Sequence, residues 1–290
     1  MKHPIFAANW KMNHAPADAD AFMRQFLAYY PRTQDRTVIF FPPALTLLAV
    51  SQALRERTDI KVGVQNIHWE DHGAFTGENS AAIARGAGAK YALIGHSERR
   101  HVFGETDEQS GRKIAAALRA GLTPVLCVGE TLAEREGGKT IDVVVRQLRA
   151  GIASTDKAHV ASFVIAYEPV WAIGTGKTAT PADAGTVHTA IRQELKSLAG
   201  DRGEGIPILY GGSVNRGNAA ALLAAPEVGG QGFSQQGYVQ VMEVLGAQDS
   251  SVAVFVNAHH SIGIRALILD RKSTRLNSSH IPLSRMPSSA

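Results

Sequence analysis

Short runs of β-branched, aromatic and other apolar residues alternate along this chain with stretches whose apolar positions recur at helical spacing. The strand-like runs are Ile5 to Ala8, Thr37 to Phe41, Ile60 to Val64, Tyr91 to Ile94, Thr123 to Val128, Ala161 to Tyr167 and Ile206 to Tyr210. Helices are predicted over Ala17 to Tyr30, Ala44 to Arg55, Ala81 to Arg85, Thr106 to Ala120, Thr140 to Ile152, Asp183 to Leu198 and Asn218 to Ala224. Thr106 reads as an N-cap and Gly121 as the stop of its helix. Several strands are apolar throughout rather than alternating, as parallel strands covered on both faces are. Seven β-then-α units in series predict a parallel α/β fold. Closure into a barrel needs an eighth strand, due just after Pro226. The stretch Glu227 to Gly237 there is poor strand material, rich in glycine and glutamine.

Polar residues and glycines gather at one recurrent place, the C-terminal ends of the strands. Asn9 and Lys11 follow the first, Gln65 and Asn66 the third, and His96, Ser97 and Glu98 the fourth. Gly129 and Glu130 follow the fifth, Glu168 the sixth, and Gly211, Gly212 and Ser213 the seventh. In parallel barrels that rim is where active sites are built. The sixth strand is the most pointed case. It ends on a carboxylate, Pro169 bars a helix, and Gly174 and Gly176 follow before helical pattern resumes near Pro181. A carboxylate at a strand end under a glycine-tipped loop suggests a base beneath a lid; taken alone, it reads equally as an ordinary surface loop with a solvated glutamate.

Composition narrows the classes. The chain has 290 residues, 44% of them hydrophobic, enough for a large core. Its formal charge of +4 is misleading: the stretch from Arg271 to Ala290 holds four basic and no acidic residues, and the rest balances 26 against 26. The body makes no electrostatic case for nucleic acid or membrane. No apolar run is long enough to span a bilayer, and the longest late stretch, Ser251 to Leu269, carries His259, His260 and Arg265. The single cysteine, Cys127, lies in an apolar run and reads as a packed core thiol, which fits a reducing, cytoplasmic setting. The start, Met1-Lys2-His3-Pro4, has no apolar signal core. No metal-ligand cluster stands out.

Six motifs then name a family. A-A-N-W-K-M at Ala7 to Met12, G-A-F-T-G-E at Gly73 to Glu78 and I-G-H-S-E-R-R at Ile94 to Arg100 resemble triosephosphate isomerase. So do C-V-G-E-T at Cys127 to Thr131, A-Y-E-P-V-W-A-I-G-T-G-K at Ala166 to Lys177 and Y-G-G-S-V at Tyr210 to Val214. The match runs in order from about Lys2 to Val228. It implies a TIM (β/α)8 barrel that interconverts dihydroxyacetone phosphate and D-glyceraldehyde 3-phosphate through an enediolate, with no cofactor and no metal. Glu168 matches the base and His96 the neutral imidazole that donates to the enediolate oxygen. The turn after His96 is expected to begin a short helix against the ring. Lys11 matches the cation facing the developing charge and the phosphate, and Asn9 the neutral donor beside it. Gly174 and Ser213 match positions whose main chain grips the phosphate. Alone, Lys11 would read as a solvated lysine, Asn9 as a turn residue and His96 as a satisfied histidine; the collinear motifs favour the functional reading. Glu98 and Arg99 are read as a pair bracing the rim. In the family, the loop carrying Phe75 to Glu78 enters a second subunit, so a homodimer is predicted.

The likeness fails after Val228. The family's glycine pair there is replaced by Ser234-Gln235, and its roles are not carried over. A one-base shift with permitted codons re-reads Gln231 to Tyr238 as R-A-L-V-S-R-A-T, resembling the missing strand. Asp270 to His280 reads as translated sequencing-library adapter, and Ser284 to Ala290 fits its continuation. The expected organisation is a catalytic barrel over 1–230 with its eighth strand degraded or missing, an aberrant region over 231–269, and a disordered non-native tail over 270–290. On this reading the first and seventh strands lack a partner between them. A barrel without activity, kept only as a non-catalytic subunit, is the alternative. A phosphosugar lyase or aldolase is a third reading, but its Schiff-base lysine would have to be sought where Lys11 already matches the isomerase motif.

Overall fold

In this computed structural model the described residues are 5–153, 155–160, 162–173, 179–212, 221, 222, 225, 227, 228 and the backbone of 253–255. The strands are β1 (Ile5–Asn9), β2 (Thr37–Phe41), β3 (Ile60–Val64), β4 (Tyr91–Ile94), β5 (Thr123–Val128), β6 (Val164–Tyr167), β7 (Ile208–Tyr210) and β8 (Ala253–Phe255). The helices are α1 (Pro16–Tyr29), α2 (Ala44–Ala53), α3 (Ala81–Gly86), α4 (Ser97–His101), α5 (Asp107–Arg119), α6 (Leu132–Glu136), α7 (Thr140–Ile152), α8 (Lys157–Val160) and α9 (Pro181–Ala199).

Every neighbouring pair from β1 to β7 is parallel, with Ile94 opposite Leu126 and Val128 opposite Tyr167. The result is the expected α/β barrel of seven parallel strands, nearly closed. The apolar strands divide their side chains by parity. In β2, Val38 and Phe40 pack outward under the helices, while Ile39 and Phe41 fill the barrel. In β6, Ile165 and Tyr167 face outward and Val164 and Ala166 inward. That is why the hydrophobic runs are unbroken: each face has its own apolar layer.

Helix ends follow local chemistry. Thr106 caps α5, its hydroxyl accepting from Gln109 N at 3.1 Å while Gln109 Oε1 accepts from Thr106 N at 3.0 Å. Gly121 stops the helix with φ +71°. Thr131 caps α6 and Thr180 caps α9 in the same reciprocal way. Two predicted strands are shorter than expected: β6 begins at Val164 and β7 at Ile208. Of the helix expected over Asn218 to Ala224, only 221 and 222 are described, and both are helical.

One expectation is corrected. β1 does have a second partner: β8 pairs with it antiparallel, Ala7 opposite Phe255 and Asn9 opposite Ala253. That strand comes from Ser251 to Leu269, to which the sequence pattern assigned no element. Its backbone covers groups that would otherwise lie along an open edge. The sheet order ends at β7 on one side and β8 on the other. Of the stretch expected to form the eighth strand, Glu227 and Val228 lie in a turn, and 229–237 fall outside the described residues, as does the 270–290 tail.

Candidate active site

The side-chain parity of the strands carries straight into the rim. Asn9 shares the inward parity of Ala7, and Glu168 that of Val164 and Ala166. Both carboxamide and carboxylate therefore arrive at the barrel mouth, Asn9 3% and Glu168 1% exposed. His96 would have the outward parity of Ala92 and Ile94. Gly95 breaks that parity with a left-handed turn at φ +70°, and a Cβ there would lie 2.6 Å from Arg100 Nη2.

These groups meet in one chain of contacts. Glu168 Oε2 accepts from Ser97 N at 2.9 Å, and Glu168 Oε1 lies 3.2 Å from His96 Nε2. The second approach is close but off-line, since Oε1 has no hydrogen-bond partner of acceptable geometry among the described residues. His96 is the N-cap of α4, and its Nδ1 accepts from Glu98 N at 3.2 Å. Accepting at Nδ1 requires a lone pair there, which leaves Nε2 as the ring position that can donate. Glu98 Oε1 takes Lys11 Nζ at 2.5 Å, and Lys11 N donates to Asn9 Oδ1 at 3.0 Å. Asn9, Lys11, Glu98, His96 and Glu168 are thus linked hand to hand.

Lys11 sits in the left-handed region, φ +50°, unusual for a residue with a Cβ. Its peptide is held from both sides: Asn9 takes the N–H, and Gln65 Nε2 donates to its carbonyl at 2.8 Å and to Phe41 O at 2.8 Å. Strain of this kind persists only where neighbours over-determine it. Glu98 and Arg99 do not brace each other as expected. Consecutive helical residues point about 100° apart, and Arg99 Nε reaches Glu105 Oε2 at 3.2 Å instead. Glu105 also holds Lys113, whose Nζ donates to Asn66 Oδ1 at 2.7 Å. Burial alone would raise the Glu105 carboxyl, but Lys113 and Arg99 hold it below the usual carboxylate range.

Close to Glu168 in the fold is a second buried carboxylate. Glu130 is fully buried and accepts from Tyr167 Oη at 3.2 Å and Trp171 Nε1 at 2.9 Å. Burial raises its pKa, with those donors opposing the shift. Burial and the neighbouring Glu130 push the Tyr167 phenol far above its ordinary value. Trp171 lies in the one-turn 3₁₀ segment Val170–Ala172 directly after Glu168-Pro169, so Glu130 ties down the stretch leaving Glu168. Cys127 is buried as expected. Burial, then the nearby Glu168 charge, pushes its thiol well above the normal range, so it stays an inert thiol.

Of the residues singled out by the sequence, Asn9, Lys11, His96 and Glu168 come together. Gly174 and Ser213, with the rest of 174–178 and 213–220, lie outside the described residues. Sequence reasoning missed Gln147, a polar side chain in the buried stripe Val143, Val144, Leu148, Gly151 and Ile152 of α7. A glutamine on the apolar face of an amphipathic helix was its only signal. Among the described residues no group of three or more His, Cys, Asp or Glu side chains is arranged to hold a metal ion. No helix there is long and apolar enough to cross a membrane.

Comparison with known proteins adds a family. The family profile described as triosephosphate isomerase matches residues 4–235. A triosephosphate isomerase of Bdellovibrio bacteriovorus is 49% identical over 226 residues, covering 78% of this chain and 91% of the relative. One from Solibacter usitatus is 46% identical over 231 residues, covering 79% and 92%. The crystal structure of triosephosphate isomerase from Bartonella henselae superposes with a TM-score of 0.71 at 39% identity, covering 79% of this chain and 90% of that one.

Proposed function

Because the chain belongs to the triosephosphate isomerase family, and so interconverts dihydroxyacetone phosphate and D-glyceraldehyde 3-phosphate, we propose that Glu168, His96, Lys11 and Asn9 carry the reaction. Glu168 takes the proton from one carbon and returns it to the next. Its burial strips water from the carboxylate, and a carboxylate competes with water as a carbon base only in such a site. His96 donates from Nε2 to the oxygen that gains charge, as a neutral imidazole held by a helix N-terminus; triosephosphate isomerase is itself the standard example of this division of labour. Lys11 supplies positive charge to the enediolate and the phosphate. Asn9 spends its carbonyl on the Lys11 N–H, which leaves its amide N–H groups as the donor end. Gly174 and Ser213 are assigned the main-chain grip on the phosphate on the motif match alone.

The observation that carries this reading is the unbroken contact chain from Asn9 to Glu168. The test is a coupled assay of triose phosphate isomerisation. Glu168→Gln should lower kcat by about 10²–10⁴-fold, the usual contribution of a positioned acid–base group. Activity within twofold of the parent would remove Glu168 from the role. Nothing in the comparisons supports the non-catalytic alternative.

We also propose a homodimer built through the loop of Phe75 to Glu78. Residues 71–78 are all exposed, with Phe75 42% accessible. Met12, Leu45, Val102 and Phe103 stand 95%, 90%, 71% and 65% exposed, far more than a monomer's surface gains from. Met12 and Val102 flank Lys11 and α4, so a second copy covering them would also back the site. The single buried thiol supports a cytoplasmic setting.

A further inference from the structure

We propose that Gln147, on the outer helix α7, is a positioning residue for the base Glu168 and acts through the main chain of Gly129. The inference rests on the assignment of Glu168 above.

β5 outruns its neighbour. The last pairing of β4 with β5 is Ile94 opposite Leu126, and the chain then turns away at Gly95. The main-chain groups of β5 beyond that point alternate in direction. Val128 O and Glu130 O face β6, where they accept from Glu168 N at 2.8 Å and Val170 N at 3.1 Å. Cys127 and Gly129 face the side that β4 has vacated. Arg100 Nη2 takes Cys127 O at 3.4 Å. Gln147 takes both groups of Gly129: its Oε1 accepts from Gly129 N at 2.7 Å, and its Nε2 donates to Gly129 O at 3.1 Å. An N–H needs an acceptor, so the orientation of the amide is not in question. The side chain is 4% exposed, and without it both Gly129 groups would be buried and unpaired.

Gly129 is where the base's own main chain rests. A Cβ at Gly129 would lie 1.7 Å from Glu168 O and 2.7 Å from Glu168 C. The Glu168 peptide is therefore seated against the bare Cα of Gly129, between the bond from Glu168 N to Val128 O and the bond from Val170 N to Glu130 O. The carboxamide of Gln147 pins that seat from the opposite side. It completes the ladder that β4 leaves short, and it sets how far the Glu168 backbone can drift from the substrate carbon. A misplacement of about 1 Å in a reacting group can cost on the order of 100-fold in rate. Gln147 touches no reacting atom, so its effect should fall on the proton-transfer step and not on phosphate binding.

The test compares Gln147→Met, which keeps the length and removes both hydrogen bonds, with Gln147→Glu, which keeps an acceptor for Gly129 N–H. Val144→Ala on the same buried face is the control for a loosened helix. At a temperature well below each midpoint, Gln147→Met should lower kcat by about tenfold or more with KM changed by less than about twofold. Gln147→Glu should fall between it and the parent. The primary deuterium isotope effect on kcat should grow in Gln147→Met as proton abstraction becomes slower, and stay at the parent value in Val144→Ala. A kcat within twofold of the parent, an unchanged isotope effect, or an equal loss in Val144→Ala would overturn the proposal. So would failure of both Gln147 variants to fold, since the amide would then serve the barrel as a whole. Glu168→Gln is assayed beside them. If it loses activity the base assignment stands however the Gln147 variants behave, and if it keeps activity both readings fall together.

Discussion

His188 links a buried side chain to the pH dependence of stability. It is fully buried against the Tyr167 and Tyr210 rings, Nδ1 lies 3.0 Å from Glu227 O, and Nε2 has no partner among the described residues. Burial lowers its pKa from 6.5 to about 4. The folded state therefore binds fewer protons than the unfolded state between those two values, and stability falls as pH falls through that window. The full effect is about 3 kcal/mol for a shift of this size. Urea midpoints measured at pH 7.5 and pH 4.5 should show the loss, and His188→Gln should flatten that part of the profile. At this same scale the gathering of Asn9, Lys11, His96 and Glu168 was legible, because each follows a strand inside a long, ordered motif. Their mutual fixing was not. The Lys11–Glu98 pair spans 87 positions and the Ser97–Glu168 bond 71, and no local pattern encodes a partner at such range. The expected Glu98–Arg99 pair does not form for a different reason: consecutive helical side chains diverge, and Glu98 takes Lys11 while Arg99 takes Glu105.

Elements were easier to read than their edges. Unbroken apolar runs marked parallel strands because each strand here has an inner and an outer apolar neighbour. Thr106 and Gly121 bounded α5 within a residue, since caps are local chemistry. β6 and β7 came out shorter than their hydrophobic runs because Phe163 and Ile206 are buried before the ladder begins. The close approach of Gly129 to Glu168, just beyond the paired ends of β5 and β6, gives a sharp expectation at this scale. Gly129→Ala places a methyl on Glu168 O, so overpacking should cost about 1–3 kcal/mol and move the base. Thermal unfolding and the isomerase assay together check it. A variant with parent stability and parent kcat would mean the two strands separate more readily than their spacing implies. Thr106→Ala, far from the site, should cost about 1 kcal/mol as a lost cap, with kcat unchanged.

For the whole molecule, the outward apolar residues around Lys11 and α4 make the quaternary state a direct question. Sedimentation at micromolar concentration should show a dimer, and Phe75→Glu should weaken it by about tenfold or more, a charge desolvated at the centre of an interface costing at least ~1.4 kcal/mol. A parent that sediments only as monomer would contradict the arrangement. The parallel barrel was legible from seven repeating units, while the strand that finally covers β1 was not. Short-range pattern marks a strand but not its direction, and β8 runs opposite to every other member of the sheet.

Among the described residues that reversed strand leaves the wall with two dissimilar ends, β8 beside β1 and a three-residue β7. A hoop with a slit does not resist deformation evenly: it is stiffest opposite the slit and gives most at its lips. Amide hydrogens should therefore exchange on a gradient around the circumference, slowest in β4 and β5 and fastest toward β7. Glu168, at the end of β6 and one strand in from that lip, would sit where the wall begins to yield.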